Sequence, residues 1–407
     1  MKIYLTSAEF NCHGNILFNA RLADYFRLNR HELVSMAEKA DYVIVNTCAV
    51  DAWHEEYSKK LLKKYAQITG KKVIAVGCMS RLGIGVNGNR NNIIVIDDYA
   101  KLNSLFATRF DFNNKDSVCM TSKERKHFDG EKKFSRFDLF WKIIIWCMGS
   151  WLKISKGLGF ASRRFERLLH LITMKNKLIV EIGSGCQGNC SYCVIRKVRG
   201  PIYSMPRESI LRQVEGKTVK NIYLVSDDTG NYGIDRGTNL IELLHEIFLK
   251  NPEVSIELNY LNPWWLLAQP EEYLKLFGSK RIVSINVPVQ SGSDRILKKM
   301  KRPYAIDDLS SYLRRCRRAA PGMIIITQIM VGFPGETLVD YLRTIRALTL
   351  FDFAHVIPYS DRPGTESQNF FPKNSTALKH LKLLCLSLIM IATCCLRNVR
   401  LTRKDEF

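Results

Sequence analysis

The sequence predicts an α/β fold in two parts: an N-terminal doubly wound parallel sheet over 1–120, and a partial six-step parallel (β/α) barrel over 176–370. Three observations carry this. Short apolar runs alternate with amphipathic helical runs in both parts. The stretch between them, 121–175, changes abruptly in charge and aromatic content. At 407 residues the chain is long enough for two or three domains with sizeable cores.

In the first part, KIYLT, DYVIVNT and KKVIAVG read as strands, separated by the helical patterns NILFNARLADYF and EEYSKKLLKKYAQI. The second part holds six strand candidates: KLIVEIG, NIYLVS, VSIELN, IVSINVPV, MIIITQIMV and FAHVIP. Amphipathic runs such as TNLIELLHEIFL, SDRILKKM and DDLSSYLRRCRRA separate most of them. In such a barrel the chemistry belongs at the C-terminal ends of the strands. A basic tail, 371–407, closes the chain.

Composition bounds the function. A hydrophobic content of 46% and a charged content of 25% are those of a folded globular protein. Twelve cysteines behind an N-terminus with no secretory pattern argue against a disulfide framework and for metal or redox use, with a cytoplasmic location expected. The net charge of +22 favours a polyanionic partner, either nucleic acid or an anionic membrane surface.

The most informative stretch is GSGCQGNCSYCVIRKVRG, directly after the first barrel strand, with Cys186, Cys190 and Cys193 inside eight residues. A structural zinc site needs four ligands, and the next cysteine, Cys316, is far downstream. Zinc with His170 as the fourth ligand has no supporting spacing. Three thiolates on an iron–sulfur cube would leave one iron open, the mark of a catalytic rather than a structural centre. In the N-terminal part, Cys12 follows the first strand, Cys48 ends VIVNTC and Cys78 ends VIAVGC. In a doubly wound sheet the C-terminal strand ends share one edge, so these three would meet in space. Taken alone, they also fit the ordinary fate of cysteines as buried core residues.

CQGNCSYC resembles the cluster motif of radical S-adenosylmethionine (SAM) enzymes. CHGN, NTCAV and GCMSR resemble the N-terminal domain of the methylthiotransferases, a branch of that superfamily with two [4Fe–4S] clusters. RGPIYSMPRESI, VPVQSGSDRILKKMKRPY, VGFPGET and YSDRPGT match later motifs in order, and SDDTGNYGID with GTNLIELL resembles the branch acting on N6-threonylcarbamoyladenosine in tRNA. The resemblance covers about 1–100 and 176–368.

It implies a radical-SAM barrel and a cofactor set of two [4Fe–4S] clusters and SAM. Cys186, Cys190 and Cys193 would hold the cluster that cleaves SAM to a 5′-deoxyadenosyl radical. Cys12, Cys48 and Cys78 would hold the one that supplies or carries sulfur, methylated by a second SAM. Tyr192 would lie near the adenine, Asp228, Thr229, Gln290 and Ser291 would bind the ribose or methionine part, and Arg199 would balance the SAM carboxylate. Each of these last five has an equally good reading as a turn residue or helix cap. GFPGE, Gly332 to Glu336, would let backbone approach the cofactor. The implied partners are tRNA and a flavodoxin- or ferredoxin-like electron donor.

The sequence departs from the family in places. TSAEFNC is a longer lead to Cys12 than the family's short link, and Gln328 stands where an aspartate is usual. Only 37 residues follow position 370, too few for the RNA-binding barrel common at the end of these proteins. Residues 121–175 carry 13 basic against 5 acidic side chains and three of the six tryptophans, and 371–407 carry 7 against 2. In FDLFWKIIIWCMGSWLKISK, Asp138, Lys142, Gly149, Lys153 and Lys156 form one helical stripe among apolar residues. That pattern suits RNA stacking, a membrane interface or burial against the barrel. The run LLCLSLIMIATCCL, 14 residues, is short of a membrane span and reads as a packed helix, with membrane contact as the alternative. Three functions fit: methylthiolation of a tRNA adenosine next to the anticodon, methylthiolation of a peptide or metabolite, and a membrane-associated cluster protein without turnover.

Overall fold

The computed structural model describes residues 1–8, 13–49, 52–68, 72–84, 92–106, 108–112, 119–121, 136–157, 163–172, 177–217 and 219–401. Cys12 and the stretch 122–135 of the basic segment lie outside them.

The N-terminal part contains β1 (Lys2–Ser7), α1 (His13–Leu28), β2 (Glu32–Leu33), β3 (Tyr42–Thr47), α2 (Ala52–Ala66), β4 (Lys72–Gly77), α3 (Cys78–Arg81), β5 (Ile93–Val95) and α4 (Ala100–Phe106). The sheet is parallel throughout in the order β2-β1-β3-β4-β5. The middles of its central strands, Val43 to Val45 and Val73 to Val76, are apolar at every position because both faces are covered. Val43, Val45, Val73 and Ala75 pack under Tyr57, Leu61 and Leu62 of α2. Their alternates Ile44, Ile74 and Val76 pack under Phe18, Leu22 and Phe26 of α1 and Leu102 of α4. The strand order reverses between β1 and β3, so the ligand crevice of this doubly wound unit lies where Cys48 follows β3.

The chain then forms β6 (Cys119–Thr121), α5 (Arg136–Gly157) and α6 (Arg163–Ile172) before entering the barrel. β6 is hydrogen-bonded antiparallel to the first barrel strand, β7 (Leu178–Glu181), so the end of 1–120 and the start of 121–175 belong to the barrel sheet. A small hairpin, β8 (Gly183–Ser184) and β9 (Tyr203–Ser204), brackets α7 (Ile195–Arg199). Next come α8 (Arg207–Val214), β10 (Asn221–Val225), α9 (Leu240–Lys250), β11 (Ser255–Leu258), α10 (Pro263–Ala268) and α11 (Pro270–Gly278). The barrel finishes with β12 (Ile282–Asn286), α12 (Asp294–Lys299), α13 (Ile306–Ala319), β13 (Ile324–Val331), α14 (Leu338–Ala347) and β14 (Phe353–Pro358), followed by α15 (Thr376–Leu401).

All six strand candidates are present, parallel, in the order β14-β13-β12-β11-β10-β7. The outer faces of β7 and β10 to β12 bury Val180, Leu224, Ile256 and Ile285 against α8, α9, α11 and α13. Over β13 and β14 the covering layer is α5, α6 and α15. The opposite face of β7 and β10 is closed from outside the barrel: Ile179, Tyr223 and Val225 pack on Ile16, Leu17 and Ala20 of α1. One N-terminal helix therefore serves two cores, and Arg21 on it pairs with Glu181 at the end of β7. At the other end of the barrel, Lys177 and Glu257 form a buried ion pair at 2.7 Å.

Candidate active site

The three-cysteine loop leaves the C-terminal end of β7 and is fastened on several sides. Gly185 N–H donates to Asp227 Oδ2 at 2.8 Å, Ser191 Oγ donates to the Lys299 carbonyl at 2.8 Å, and Ser367 N–H donates to the Ser191 carbonyl at 2.9 Å. Each sulfur meets a polar group. Cys186 Sγ accepts from Gly188 N–H at 3.3 Å and Cys193 Sγ from Ile195 N–H at 3.5 Å. Arg302 Nη1 stands 3.6 Å from Cys190 Sγ. Burial and the neighbouring Asp228 push the Cys186 thiol up to about 12. Asp228 is itself pushed up to about 6 by burial, against hydrogen bonds from Trp265, Asn262 and Gly230.

This donor set fits an iron–sulfur cluster. N–H groups and a guanidinium aimed at sulfur are the contacts that stabilise ligating thiolates. Among the described residues no three His, Cys, Asp or Glu side chains converge on one point as a single ion requires. A cluster takes each thiolate on a different iron, so it asks for a looser triangle. The zinc reading needs the His170 side chain, which lies outside the described residues.

The rim around this loop carries buried polar atoms with no partner in the protein among the described residues. Thr229 Oγ1 and Asn231 Oδ1 follow β10, Asn259 Nδ2 follows β11, and Asn286 Oδ1 and Gln290 Oε1 lie at and beyond the end of β12. An unsatisfied buried polar group costs about 1–3 kcal/mol, and several on one rim mark where a polar ligand completes the site. Gln290 adopts a left-handed backbone, φ 74°, while its carbonyl accepts from Met330 N–H at 2.9 Å and its N–H donates to the Gln328 carbonyl at 2.8 Å. The structure thus holds an unfavourable conformation that aims this side chain.

The other site residues named from the sequence divide. Asp228 is fully buried and accepts from Trp265 Nε1 at 3.1 Å, with Cys186 Sγ at 3.9 Å. Tyr192 Oη lies 3.5 Å from Arg302 Nη1. Arg199 pairs with Asp227 at 3.4 Å, so its charge is already met within the protein. Ser291 is buried, its Oγ 3.4 Å from Thr344 Oγ1 and accepting from Ser293 N–H, which is the turn role. The glycines of GFPGE are also occupied: a Cβ on Gly332 would meet Lys379 of α15 at 2.5 Å, and Glu336 pairs with Lys382 at 2.8 Å. That loop makes room for α15 in this structure.

Arg302 is the residue the sequence reasoning missed. Buried, it reaches Asn262 Oδ1 at 3.0 Å, Tyr304 Oη at 3.2 Å and the Pro288 carbonyl, and lies over the Trp264 ring at 5.1 Å. Its only sequence signal was its place in KMKRPY. Gly230 is fixed by its neighbour: a Cβ there would fall 2.1 Å from Trp265 Cδ1.

The N-terminal cysteines sit at the corresponding sheet edge. Cys48 is buried directly after β3, its N–H donating to Ser58 Oγ at 2.9 Å, and Cys78 opens α3 directly after β4. Between them Gly77, φ 95°, leaves space that a Cβ would fill at 2.3 Å from Asn46 Oδ1, a buried oxygen without a partner among the described residues. This edge faces the barrel rim. α3 packs against α7, the helix that follows the cysteine loop. Arg362 of YSDRPGT, buried, donates to the Ala49 carbonyl at 3.2 Å and pairs with Glu55 at 3.4 Å. A cleft between the two edges is lined by Arg81 and Tyr99 from one side and by Arg199, Asp227 and Tyr260 from the other.

A partial parallel barrel with three cysteines after its first strand and an unsatisfied polar rim defines a radical SAM enzyme, a class that uses SAM and a [4Fe–4S] cluster. The model of the radical SAM superfamily matches residues 180–348, and that of the uncharacterized protein family UPF0004 matches residues 3–84. The probable threonylcarbamoyladenosine tRNA methylthiotransferase of Pyrococcus horikoshii is 28% identical over 375 residues, covering 90% of this chain and 78% of that protein. The threonylcarbamoyladenosine tRNA methylthiotransferase of Xenopus laevis is 30% identical over 383 residues, 92% of this chain and 62% of that one. Among solved structures, the radical SAM methyltransferase TsrM of Kitasatospora setae, with cobalamin and a [4Fe–4S] cluster bound, aligns with a TM-score of 0.51 at 15% identity, over 90% of this chain and 77% of that one. The last likeness is one of fold. The two matched domains and the names of these relatives support a radical SAM methylthiotransferase.

Proposed function

We propose that this protein replaces a hydrogen of N6-threonylcarbamoyladenosine, next to the anticodon of a tRNA, with a methylthio group. The observation that carries the reading is the facing of two cysteine-bearing sheet edges across one cleft, in a chain whose relatives of that name align over nine-tenths of its length. A radical formed on one side must meet sulfur from the other before it meets solvent, which requires such proximity.

In this reading Cys186, Cys190 and Cys193 hold the SAM-binding cluster, and Cys48 and Cys78 hold the second together with Cys12. The bound clusters and SAM supply one-electron chemistry at the substrate carbon and the sulfur and methyl groups. The chain's own residues do the rest. Arg302 and the loop N–H groups hold the sulfurs, and Asp228 orders Trp265 and the loop that follows β10. Thr229, Gln290 and the asparagines offer hydrogen bonds to SAM. Of the cleft arginines, Arg21 pairs with Glu181 and Arg199 with Asp227, while Arg81 lies over Tyr99 with no carboxylate partner among the described residues. A threonylcarbamoyl group brings a carboxylate, which Arg81 is placed to receive. A flavodoxin- or ferredoxin-like protein supplies electrons.

The test is expression in a strain that makes threonylcarbamoyladenosine but cannot methylthiolate it, followed by mass spectrometry of hydrolysed tRNA. A methylthio-nucleoside in that strain is the expected result. An unchanged nucleoside profile, with methylthiolated peptide or metabolite instead, would overturn the reading.

A further inference from the structure

Helices α5 and α15 lie outside both regions that match family models, 3–84 and 180–348. They pack on each other and, through Ile144, Met148, Leu386 and Met390, on β13 and β14. Their outward faces are not polar. On α15, Leu381 (57% exposed), Leu384 and Leu388 (53% exposed) repeat at helical spacing toward solvent. On α5, Ile143, Trp146 (72% exposed) and Ile154 do the same. Single exposed leucines are ordinary, but an apolar stripe on each of two helices that pack together, one of them with a tryptophan, is of the kind that marks an interaction surface.

The charge of the two segments points to the partner. Exposed Lys142 and Lys153 lie on α5 itself. The two segments that contain these helices, 121–175 and 371–407, have net charges of +8 and +5, so together they hold 13 of the chain's +22. Leucine and isoleucine offer no π-face for stacking on bases, and one exposed tryptophan among them is a poor stacking platform for RNA. Apolar stripes with an exposed tryptophan and with Lys142 and Lys153 on the same helix suit the headgroup boundary of an anionic bilayer.

The patch lies on the membrane and does not cross it. By length and composition Thr376–Leu396 could span a bilayer. Its inner face, however, is committed: Lys382 pairs with buried Glu336, Tyr341 Oη donates to the Lys382 carbonyl at 2.8 Å, and Cys394 Sγ lies 2.9 Å from the Asp352 carbonyl. Withdrawing the helix would strand Glu336 as a buried charge and bare β13 and β14.

We propose that the face formed by α5 and α15 docks this protein on an anionic lipid surface. The test is flotation of the reconstituted full chain with phosphatidylcholine vesicles, with and without phosphatidylglycerol, at low and high salt. Expected are co-flotation with the anionic vesicles, at least tenfold weaker partition to neutral ones or at high salt, and tenfold or greater loss in Leu384→Glu/Leu388→Glu and in Trp146→Ala. Iron content reports that each variant is folded, and the tryptophan change keeps the test open if the double variant is not. No co-flotation of the wild type would overturn the proposal, as would binding indifferent to both changes. So would sedimentation showing a dimer that the leucine changes dissociate, because a second copy would then cover the patch.

Discussion

Replacing Arg302 with methionine tests how the barrel holds its cysteine loop. The guanidinium satisfies Asn262 Oδ1, the Pro288 carbonyl and Tyr304 Oη, reaches Cys190 Sγ and Tyr192 Oη, and covers the Trp264 ring. Methionine fills the volume but leaves at least two buried acceptors unmet, at about 1–3 kcal/mol each. Loss of the cation–π contact adds about 1–2 kcal/mol, and the apolar replacement returns part of the total. The expected net destabilisation is about 3–5 kcal/mol. Arg302→Lys keeps the charge but cannot reach all partners from one ammonium, so it should recover roughly half of that loss. The assay is urea unfolding of iron-free protein, paired with iron content after anoxic reconstitution. Methionine should lower the midpoint and the iron bound, with lysine between. A loss below about 1 kcal/mol with full iron content would refute the reasoning.

Three further outcomes follow from the same structure. Gly230→Ala forces the Trp265 ring from its place and breaks its bond to Asp228, so it should destabilise by about 2–3 kcal/mol in the same unfolding assay. Although burial opposes ionisation, Arg295, Ser293 and Thr337 hold the Asp340 carboxyl well below the usual carboxylate range. Its stabilisation is therefore present above that range and lost as pH falls through the depressed value. Asp340→Asn should cost about 2 kcal/mol at pH 7, the half-exposed Arg295 contributing little, and should flatten the acid limb of a stability–pH profile. Arg81→Gln should weaken binding of tRNA carrying threonylcarbamoyladenosine by about tenfold while leaving unmodified tRNA unaffected, measured by equilibrium binding. Equal loss on both would reduce Arg81 to a general phosphate contact.

The six barrel strands were legible because each is a short apolar run with an amphipathic run nearby, and both faces of a parallel strand are buried. The positions of Cys48 and Cys78 after their strands followed from the same pattern. What α1 packs against was not legible. Its two apolar faces, Phe18, Leu22 and Phe26 on one side and Ile16, Leu17 and Ala20 on the other, say only that it is buried twice. The second partner begins with β7, where Glu181 lies 160 residues from Arg21, and continues with β10 further on. Arg302 was hidden for a related reason: a lone arginine near a turn looks like surface, and only the fold brings it to a cysteine 112 residues earlier. Ser291 and Gly332 show the limit of motif position from the other side. Motif position suggests a cofactor contact there, while the structure shows Ser291 hydrogen-bonded locally and Gly332 against Lys379 of α15. The stripe expected on α5 is partly present, with Lys142 and Lys153 exposed, but its neighbours Ile143, Trp146 and Ile154 are exposed as well. The apolar run in the tail is part of a longer helix because Lys379 and Lys382 lie within the packed helix and break only the composition.

The proposed function needs a second iron–sulfur site beside the first. Iron content of the anoxically assembled protein tests this most directly, measured alongside variants that replace Cys186, Cys190 and Cys193 or Cys48 and Cys78 with alanine. Two cubes predict about eight irons per chain and about four in either variant. About four irons in the unaltered protein, with no further loss when Cys48 and Cys78 are replaced, would contradict it.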